Sequence, residues 1–117
     1  MTNTKVYGIK TCGSVKKAIK FLNDNHIKFD FIDFKKEHIH RKKIEDWLKK
    51  TSIDKLFNNR GTKYRILKLK ELDLNDEEKI EWLTKENMLI KRPVIEYNDQ
   101  VLVGFDEALY RQIFNRE

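Results

Sequence analysis

The sequence of 117 residues contains a single cysteine, Cys12. One thiol cannot form an internal disulfide, an internal dithiol pair or a cysteine-rich zinc site, so any thiol chemistry of this chain must be monothiol. The sequence also lacks an apolar run of the roughly 20 residues that a membrane-spanning helix needs. Its amino terminus has no apolar stretch behind a basic start, as a secretory signal would have. We therefore expect one cytoplasmic domain, residues 1–117, with no membrane association.

The chain does not lack charge: its 25 basic and 19 acidic residues give a formal net charge of +6. A basic protein gains affinity for nucleic acid by releasing counterions from phosphate. Here, however, lysines outnumber arginines and are spread from Lys5 to Lys91 among the acidic residues rather than gathered in one tail. Reading of base edges would favour arginine. The pattern therefore favours a solvated surface over direct nucleic-acid binding.

The spacing of apolar residues predicts the first three elements. Residues 5–9 are β-branched and aromatic and predict a strand. Apolar residues three and four apart predict an amphipathic helix from Ser14 to about Asn25. Alternation over residues 28–34, with apolar side chains on both faces, predicts a second strand in the interior of a sheet. A helical crossover of this length makes the two strands parallel.

The rest of the chain completes an α/β pattern. Residues from about 37 to 88 read as a helical insert, in which Asn75-Asp76 caps one helix. Two strands, 93–97 and 101–103, flank a short polar loop and predict a hairpin. A final helix begins at about Asp106, which caps it. The predicted order is βαβ, helical insert, ββα.

Cys12 lies where the first strand gives way to the first helix. The helix dipole and the free N–H groups of a first turn favour an anion, so the position predicts a lowered thiol pKa. Lys10 and Lys16 are close enough in sequence to add to this effect. Gly13 permits close approach of backbone or ligand, and Ser14 can cap the helix or donate to the sulfur. The alternative is a buried, inert cysteine; the position favours a reactive thiol.

Arg60, Arg92 and Pro93 lie next to chain reversals or strand starts. A guanidinium near a thiolate stabilises it and can bind an oxyanion in bidentate fashion, although the sequence by itself favours surface arginines. Pro93 can simply begin a strand. Alternatively, the Arg92-Pro93 peptide is cis, faces the cysteine and offers its backbone to a peptide-like substrate. The spacing leaves both readings open.

The histidines and tryptophans have simpler interpretations. His26, His38 and His40 lack the spacing of ligands on one helix face, and we predict surface positions and no metal site. Trp47 and Trp82 lie on apolar helix stripes and are predicted to belong to the core rather than to stacking platforms.

Four segments of the chain together resemble the arsenate reductase-related family. They are Tyr7–Ala18, Asn59–Arg65, Ile90–Pro93 and Gly104-Phe105. The family includes glutaredoxin-coupled arsenate reductases, Spx-type transcriptional regulators and YffB-type proteins. The likeness covers nearly the whole chain in the correct order. It implies a thioredoxin-like, glutaredoxin-like mixed sheet with a helical insert, in agreement with the order of elements.

The resemblance also implies roles for particular residues. Cys12 corresponds to the catalytic thiol of the family, and Arg60 and Arg92 correspond to two of the three arginines that arsenate reductases place around their oxyanion. Gly104 stands where those enzymes have the third arginine, and Gly8–Lys10 stands where they have His-Asn-Pro. Efficient arsenate reduction is therefore not expected.

The resemblance separates the branches of the family as well. Redox-sensing Spx-type regulators carry a Cys-x-x-Cys switch, and Val15 occupies its second position here, which rules out that switch. The closest likeness is to the YffB type, through its opening Tyr-Gly-Ile-Lys and final Gly-Phe, and this type is thought to act with glutathione.

We therefore expect a monothiol oxidoreductase that is a monomer and holds no bound cofactor. Its Cys12 thiolate would attack an oxidised sulfur or an oxyanion, and glutathione or glutaredoxin would resolve the adduct. Lys10, Gly13, Ser14, Arg60 and Arg92 are the residues expected to bind the anionic part of the substrate. Two alternatives remain: an Spx-like regulator that docks on the RNA polymerase alpha subunit, and a weak arsenate reductase.

Overall fold

The computed structural model describes residues 4–114. The chain divides into two compact units, one formed by Glu37–Lys91 and the other by the segments on either side of it. The first of these corresponds to the helical insert predicted for about 37–88, and the assignment of residues 1–117 to one domain stays a prediction. Within the described residues, no helix is both long enough and apolar enough to cross a membrane.

The described chain contains four strands and six α-helices. The strands are β1 (Thr4–Gly8), β2 (Asp30–Asp33), β3 (Val94–Tyr97) and β4 (Gln100–Val103). The helices are α1 (Gly13–Asp24), α2 (Arg41–Leu48), α3 (Ile53–Leu56), α4 (Thr62–Ile66), α5 (Asp76–Lys85) and α6 (Glu107–Phe114). Two short 3-10 helices, Leu69–Glu71 and Asn87–Leu89, precede and follow α5. The predicted order of βαβ, helical insert and ββα is confirmed.

The four strands form one mixed sheet in the order β2-β1-β3-β4. β1 pairs in parallel with β2, and β3 is antiparallel to both β1 and β4. Asn98 and Asp99 join β3 to β4 with φ angles of 47° and 64°. Positive φ at both central residues is the geometry of the tight hairpin turns that match strand twist. The parallel pair and the hairpin are both as predicted.

The prediction that the second strand lies in the interior of the sheet is wrong, because β2 is at an edge. Apolar residues on both faces of a strand indicate that other elements pack on both faces. They do not indicate whether the strand has one hydrogen-bonded neighbouring strand or two. Phe31 of β2 packs against the hydrophobic core, and Phe34 just beyond it is buried. Phe31 therefore covers one face of β2 against the core, while one backbone edge of β2 has no neighbouring strand among residues 4–114.

One face of the sheet carries the core of this unit. Val6, Ile95 and Leu102 are directly opposite one another on adjacent strands and therefore point to the same side. The apolar sides of α1 and α6 cover them. The core cluster consists of Val6, Ala18, Phe21, Leu22, Ile95, Leu102, Tyr110, Ile113 and Phe114.

The unit formed by Glu37–Lys91 is built from short helices, and α5 begins at the Asn75 cap that the sequence predicts. The Asn75 side chain accepts a hydrogen bond from the Glu78 N–H (2.8 Å), and the Glu78 carboxylate accepts one from the Asn75 N–H (2.9 Å). This reciprocal pair is a capping box. Trp47 is 1% exposed and belongs to the core as predicted, whereas Trp82 is partly buried, with the Lys85 ammonium 5.2 Å from its ring centroid.

The buried side-chain amide of Asn87 links the segment before α2 to the end of α5 by hydrogen bonds. The Asn87 side-chain oxygen accepts a hydrogen bond from the Ile39 N–H (2.7 Å). Its side-chain nitrogen donates to the carbonyl oxygens of Ile39 (3.1 Å) and Leu83 (2.9 Å). Both atoms of the amide are therefore satisfied, which compensates for the cost of burying it.

We expect Asn87→Ala to lower the free energy of unfolding by about 2 to 3 kcal/mol, because the substitution leaves the Ile39 N–H and carbonyl buried without their partner. Urea denaturation measures the change. Asn59→Ala, at an exposed position of the same unit, is the control and should cost less than about 0.5 kcal/mol. Equal losses in the two variants would show that the buried amide does not stabilise this unit.

Candidate active site around Cys12

Cys12 is the residue that immediately precedes α1. Its N–H donates to the Ile9 carbonyl oxygen (3.3 Å), and its own carbonyl oxygen accepts from the Lys16 N–H (3.0 Å). These two bonds fix the backbone on both sides of the thiol. The side chain is half-buried. The predicted position of the thiol, between the first strand and the first helix, is therefore the observed one.

Several groups act on the charge of the Cys12 sulfur. Burial raises the pKa of the thiol, but the Val15 N–H, the Arg92 side chain and the Ser14 N–H outweigh burial, so the net pKa is lowered. The positive charge of Arg92 adds to this effect. The sulfur does not form the cap hydrogen bond that an oxygen would form at this position. The N–H groups of the first turn act instead by stabilising the thiolate.

Arg92 reaches this thiol from the residue before the buried Pro93. The Arg92-Pro93 peptide bond is cis, and Pro93 directly precedes β3; pairing of this backbone with a peptide-like substrate stays a prediction. The Pro93 carbonyl oxygen accepts a hydrogen bond from the Gly104 N–H (2.8 Å). The Arg92 side chain lowers the pKa of the Cys12 thiol, and Arg92 is itself partly buried. The structure therefore brings Arg92, a predicted site residue distant in sequence, to Cys12.

Gly8, at the end of β1, provides the space that this arrangement needs. A Cβ atom on Gly8 would lie 2.7 Å from Cγ2 of the fully buried Val15 and 3.8 Å from the Arg92 Cβ. The first of these distances is shorter than packed carbon atoms allow. No structural role for Gly8 was predicted from the sequence. In the sequence, Gly8 lies within an otherwise β-branched and aromatic strand. A glycine in such a strand often marks a place where another backbone or a ligand approaches closely.

The groups that lower the Cys12 pKa are the Val15 and Ser14 N–H groups and Arg92. An effect of Lys10 or Lys16 on the thiol stays a prediction. The Lys10 ammonium lies 5.9 Å from the centroid of the Phe31 ring, a cation–π distance. Its part in binding an anion stays a prediction.

Gly13 and Ser14 form the exposed first turn of α1. No atom lies within 4 Å of the Cβ position of Gly13, so packing does not require glycine there. Its predicted role, to let a ligand approach, stays a prediction. The Ser14 N–H lowers the pKa of the Cys12 thiol, and the roles predicted for Ser14 in capping and in binding an anion stay predictions.

Arg60 belongs to the unit formed by Glu37–Lys91. It is exposed, and its N–H donates to the Asn58 side-chain oxygen (3.2 Å). The Asn58 side chain also fills the space beside Gly61. A Cβ atom on Gly61 would lie 2.7 Å from the Asn58 amide nitrogen. The loop is thus locally ordered, and anion binding by Arg60 stays a prediction.

Gly104 occupies the position that the resemblance assigns to a third arginine. Its φ angle is 81° and the residue is buried. Side chains other than glycine rarely adopt this backbone conformation. An arginine could therefore not be placed here without strain or a change in the turn.

The histidines are exposed, as predicted. The His38 and His40 rings are 4.9 Å apart, and His26 has a φ angle of 58°. Among residues 4–114, the structure contains no group of three or more histidine, cysteine, aspartate or glutamate side chains placed to hold a metal ion.

Residues 7–113 match the model of the ArsC family. The chain belongs to the ArsC family. Among curated proteins of similar sequence is the uncharacterized protein YusI of Bacillus subtilis (strain 168). It is 32% identical over 110 residues, which cover 91% of this chain and 93% of YusI.

Solved structures show the same relationship. The protein named YffB superposes with a TM-score of 0.87 at 33% identity, covering 93% of this chain and 96% of YffB. A possible arsenate reductase from Streptococcus mutans UA159 superposes with a TM-score of 0.80 at 28% identity, covering 97% of this chain and 100% of that one. The mixed sheet with its helices is therefore the thioredoxin-like fold of the ArsC family, as expected.

We expect Arg92→Ala to raise the measured pKa of Cys12 by about 1, because the thiolate loses a charged hydrogen-bond donor. At a pH below the thiol pKa, a higher pKa means a smaller thiolate fraction, so alkylation by iodoacetamide at neutral pH should slow. The rate of alkylation as a function of pH gives the pKa directly.

The control is Lys91→Ala, which removes one positive charge from the exposed neighbour of Arg92 and should leave the Cys12 pKa nearly unchanged. If the wild-type pKa is at or above the ordinary ~8.5, Arg92 and the first turn do not activate this thiol.

Proposed function

We propose that this ArsC-family protein is a monothiol oxidoreductase in which Cys12 is the nucleophile and glutathione is the external thiol. The observation that carries the proposal is the set of donors on one sulfur: the N–H groups of Ser14 and Val15 and the side chain of Arg92. Stabilisation of this kind raises the thiolate fraction above that of an ordinary cysteine, and the thiolate is the attacking species in thiol exchange.

The charge around the thiol supports an anionic partner. Between Lys5 and Asn23 the chain has five lysines and no acidic residue. Lys10, Lys16 and Lys17 are exposed on either side of Cys12. Glutathione carries two carboxylates and one ammonium group, so its net negative charge is attracted to such a surface. Glutaredoxin could supply the same resolving thiol.

The proposed reaction has two exchanges. The Cys12 thiolate attacks the glutathionyl sulfur of a mixed disulfide, RSSG; a bond forms between the two sulfurs, the original disulfide bond breaks, and RS⁻ leaves and takes a proton from water. A second glutathione thiolate then attacks the glutathionyl sulfur on Cys12, which releases glutathione disulfide and the Cys12 thiolate. The net reaction is RSSG + GSH → RSH + GSSG.

Cys12→Ser should abolish this reaction, because a serine hydroxyl cannot form the mixed disulfide. The assay uses the mixed disulfide of glutathione and 2-mercaptoethanol, with glutathione reductase and NADPH reporting glutathione disulfide. Arg92→Ala should lower kcat/KM roughly tenfold at neutral pH, in proportion to the lost thiolate. Without reducing glutathione, intact-protein mass spectrometry should find one glutathionyl group on the wild type and none on Cys12→Ser.

Equal turnover by wild type and Cys12→Ser would overturn the proposal. Unchanged cellular function of Cys12→Ser, together with retained binding of the RNA polymerase alpha subunit, would favour the regulator instead.

Arsenate is expected to be a poor substrate, because the turn at Gly104 offers no third guanidinium and its φ angle of 81° excludes an ordinary side chain. In a glutaredoxin-coupled assay, arsenate should not increase NADPH oxidation above the rate of Cys12→Ser. Arsenate-dependent oxidation that needs Cys12 would show that two arginines or fewer are enough.

A further inference from the structure

The turn after β4 is held by hydrogen bonds from two sides. The Gly104 N–H donates to the Pro93 carbonyl oxygen (2.8 Å). The Gly104 carbonyl oxygen accepts from the Tyr110 hydroxyl (2.6 Å). Gly104 is the residue with a φ angle of 81°. Because glycine has access to a wide range of backbone conformations, a turn built on it depends on such external bonds for one fixed geometry.

Tyr110 is well placed to supply a rigid bond. Its side chain is 1% exposed in the core between α1, α6 and the sheet. Its ring makes edge contacts with Phe21, Phe105 and Phe114, with centroids 5.6, 5.2 and 5.8 Å apart. Burial and the nearby Asp106 raise the pKa of Tyr110 far above the physiological range, so the hydroxyl keeps its proton and remains a donor.

Pro93 connects the Gly104 turn to Arg92, the residue that acts on the thiol. Proline has no N–H, so its carbonyl oxygen is the only backbone polar group that it can use to hold its place. That oxygen accepts a hydrogen bond from the Gly104 N–H. The preceding residue is Arg92, whose side chain acts on the Cys12 sulfur. A continuous set of contacts thus runs from the Tyr110 hydroxyl to Gly104, Pro93, Arg92 and Cys12.

We propose that Tyr110 is a positioning residue for the Cys12 thiolate: its hydroxyl fixes the Gly104 turn, and the turn, through the Pro93 carbonyl, fixes the Arg92 guanidinium on the sulfur. The inference rests on the proposed function, in which that thiolate is the nucleophile. Tyr110 does not touch the sulfur and takes no part in the exchange of bonds.

The decisive variant is Tyr110→Phe, which keeps the aromatic packing and removes the hydroxyl. The Gly104 carbonyl then loses its partner and the turn loses its restraint, so Arg92 spends less time on the sulfur. The Cys12 pKa, measured by thiolate absorbance during a pH titration, should rise by roughly 0.5, less than for complete loss of the Arg92 donor. The control is Tyr97→Phe, which removes a hydroxyl from a ring packed on Phe114 in the same core (centroids 4.6 Å apart).

A double-mutant cycle separates positioning from mere stabilisation. In an Arg92→Ala background, Tyr110→Phe should not raise the Cys12 pKa further, because the group that it positions is gone. Tyr110→Phe should lower the melting temperature both with and without Arg92→Ala, because the hydrogen bond to the Gly104 carbonyl is missing in each case. A stabilising role by itself would lower the melting temperature of Tyr110→Phe and leave the thiol pKa at the wild-type value.

Two failures can be told apart. If the wild-type Cys12 pKa is lowered and Arg92→Ala raises it, but Tyr110→Phe does not, this inference is wrong and the proposed function stands. If Tyr110→Phe raises the pKa equally with and without Arg92, the effect does not pass through Arg92 and the inference is also wrong. If Cys12 of the wild type has an ordinary pKa, the proposed function fails first.

Discussion

The start of α1 is the constraint on which the site depends. The first N–H groups of any helix lack intrahelical acceptors and must find others. Oxygen atoms of Ser52, Asn75 and Asp106 serve α3, α5 and α6 in this chain. The first turn of α1 contains no acidic residue, and Cys12 stands at its cap position. The N–H groups there are left to stabilise a thiolate, and Arg92 approaches the same sulfur.

That approach requires β1, α1 and the start of β3 to come close together. Gly8 and Val15 show how little space is left, since a single added methyl group on Gly8 would collide with Val15. Packing and electrostatics are therefore coupled at this point. The close contact that buries Val15 also brings the Arg92 side chain to the thiol, and burial by itself would have made the thiol less acidic.

Local features of the chain were predictable because their physics is local. The Asn75 capping box, the Asp106 cap and the Asn98-Asp99 turn each depend on residues within four positions of one another. The edge position of β2 was not predictable, because alternation reports coverage of a strand and not its neighbours. The contacts of Arg92 with Cys12 and of Tyr110 with Gly104 depend on how the strands and helices pack. No spacing rule encodes them, although the family resemblance pointed to Arg92.

Because Cys12 is the single cysteine of the chain, stabilisation of its thiolate favours both thiol exchanges of the proposed reaction. A Cys-x-x-Cys pair would resolve its own adduct, but the second position is Val15, a fully buried valine. In the proposed reaction the resolving thiol therefore comes from outside the chain, and Cys12 leaves when that thiol attacks the mixed disulfide. A thiol of lower pKa leaves faster. The N–H groups and Arg92, which favour the thiolate before attack, would also favour it as the leaving group, so in the proposed reaction the same groups serve both activation and release.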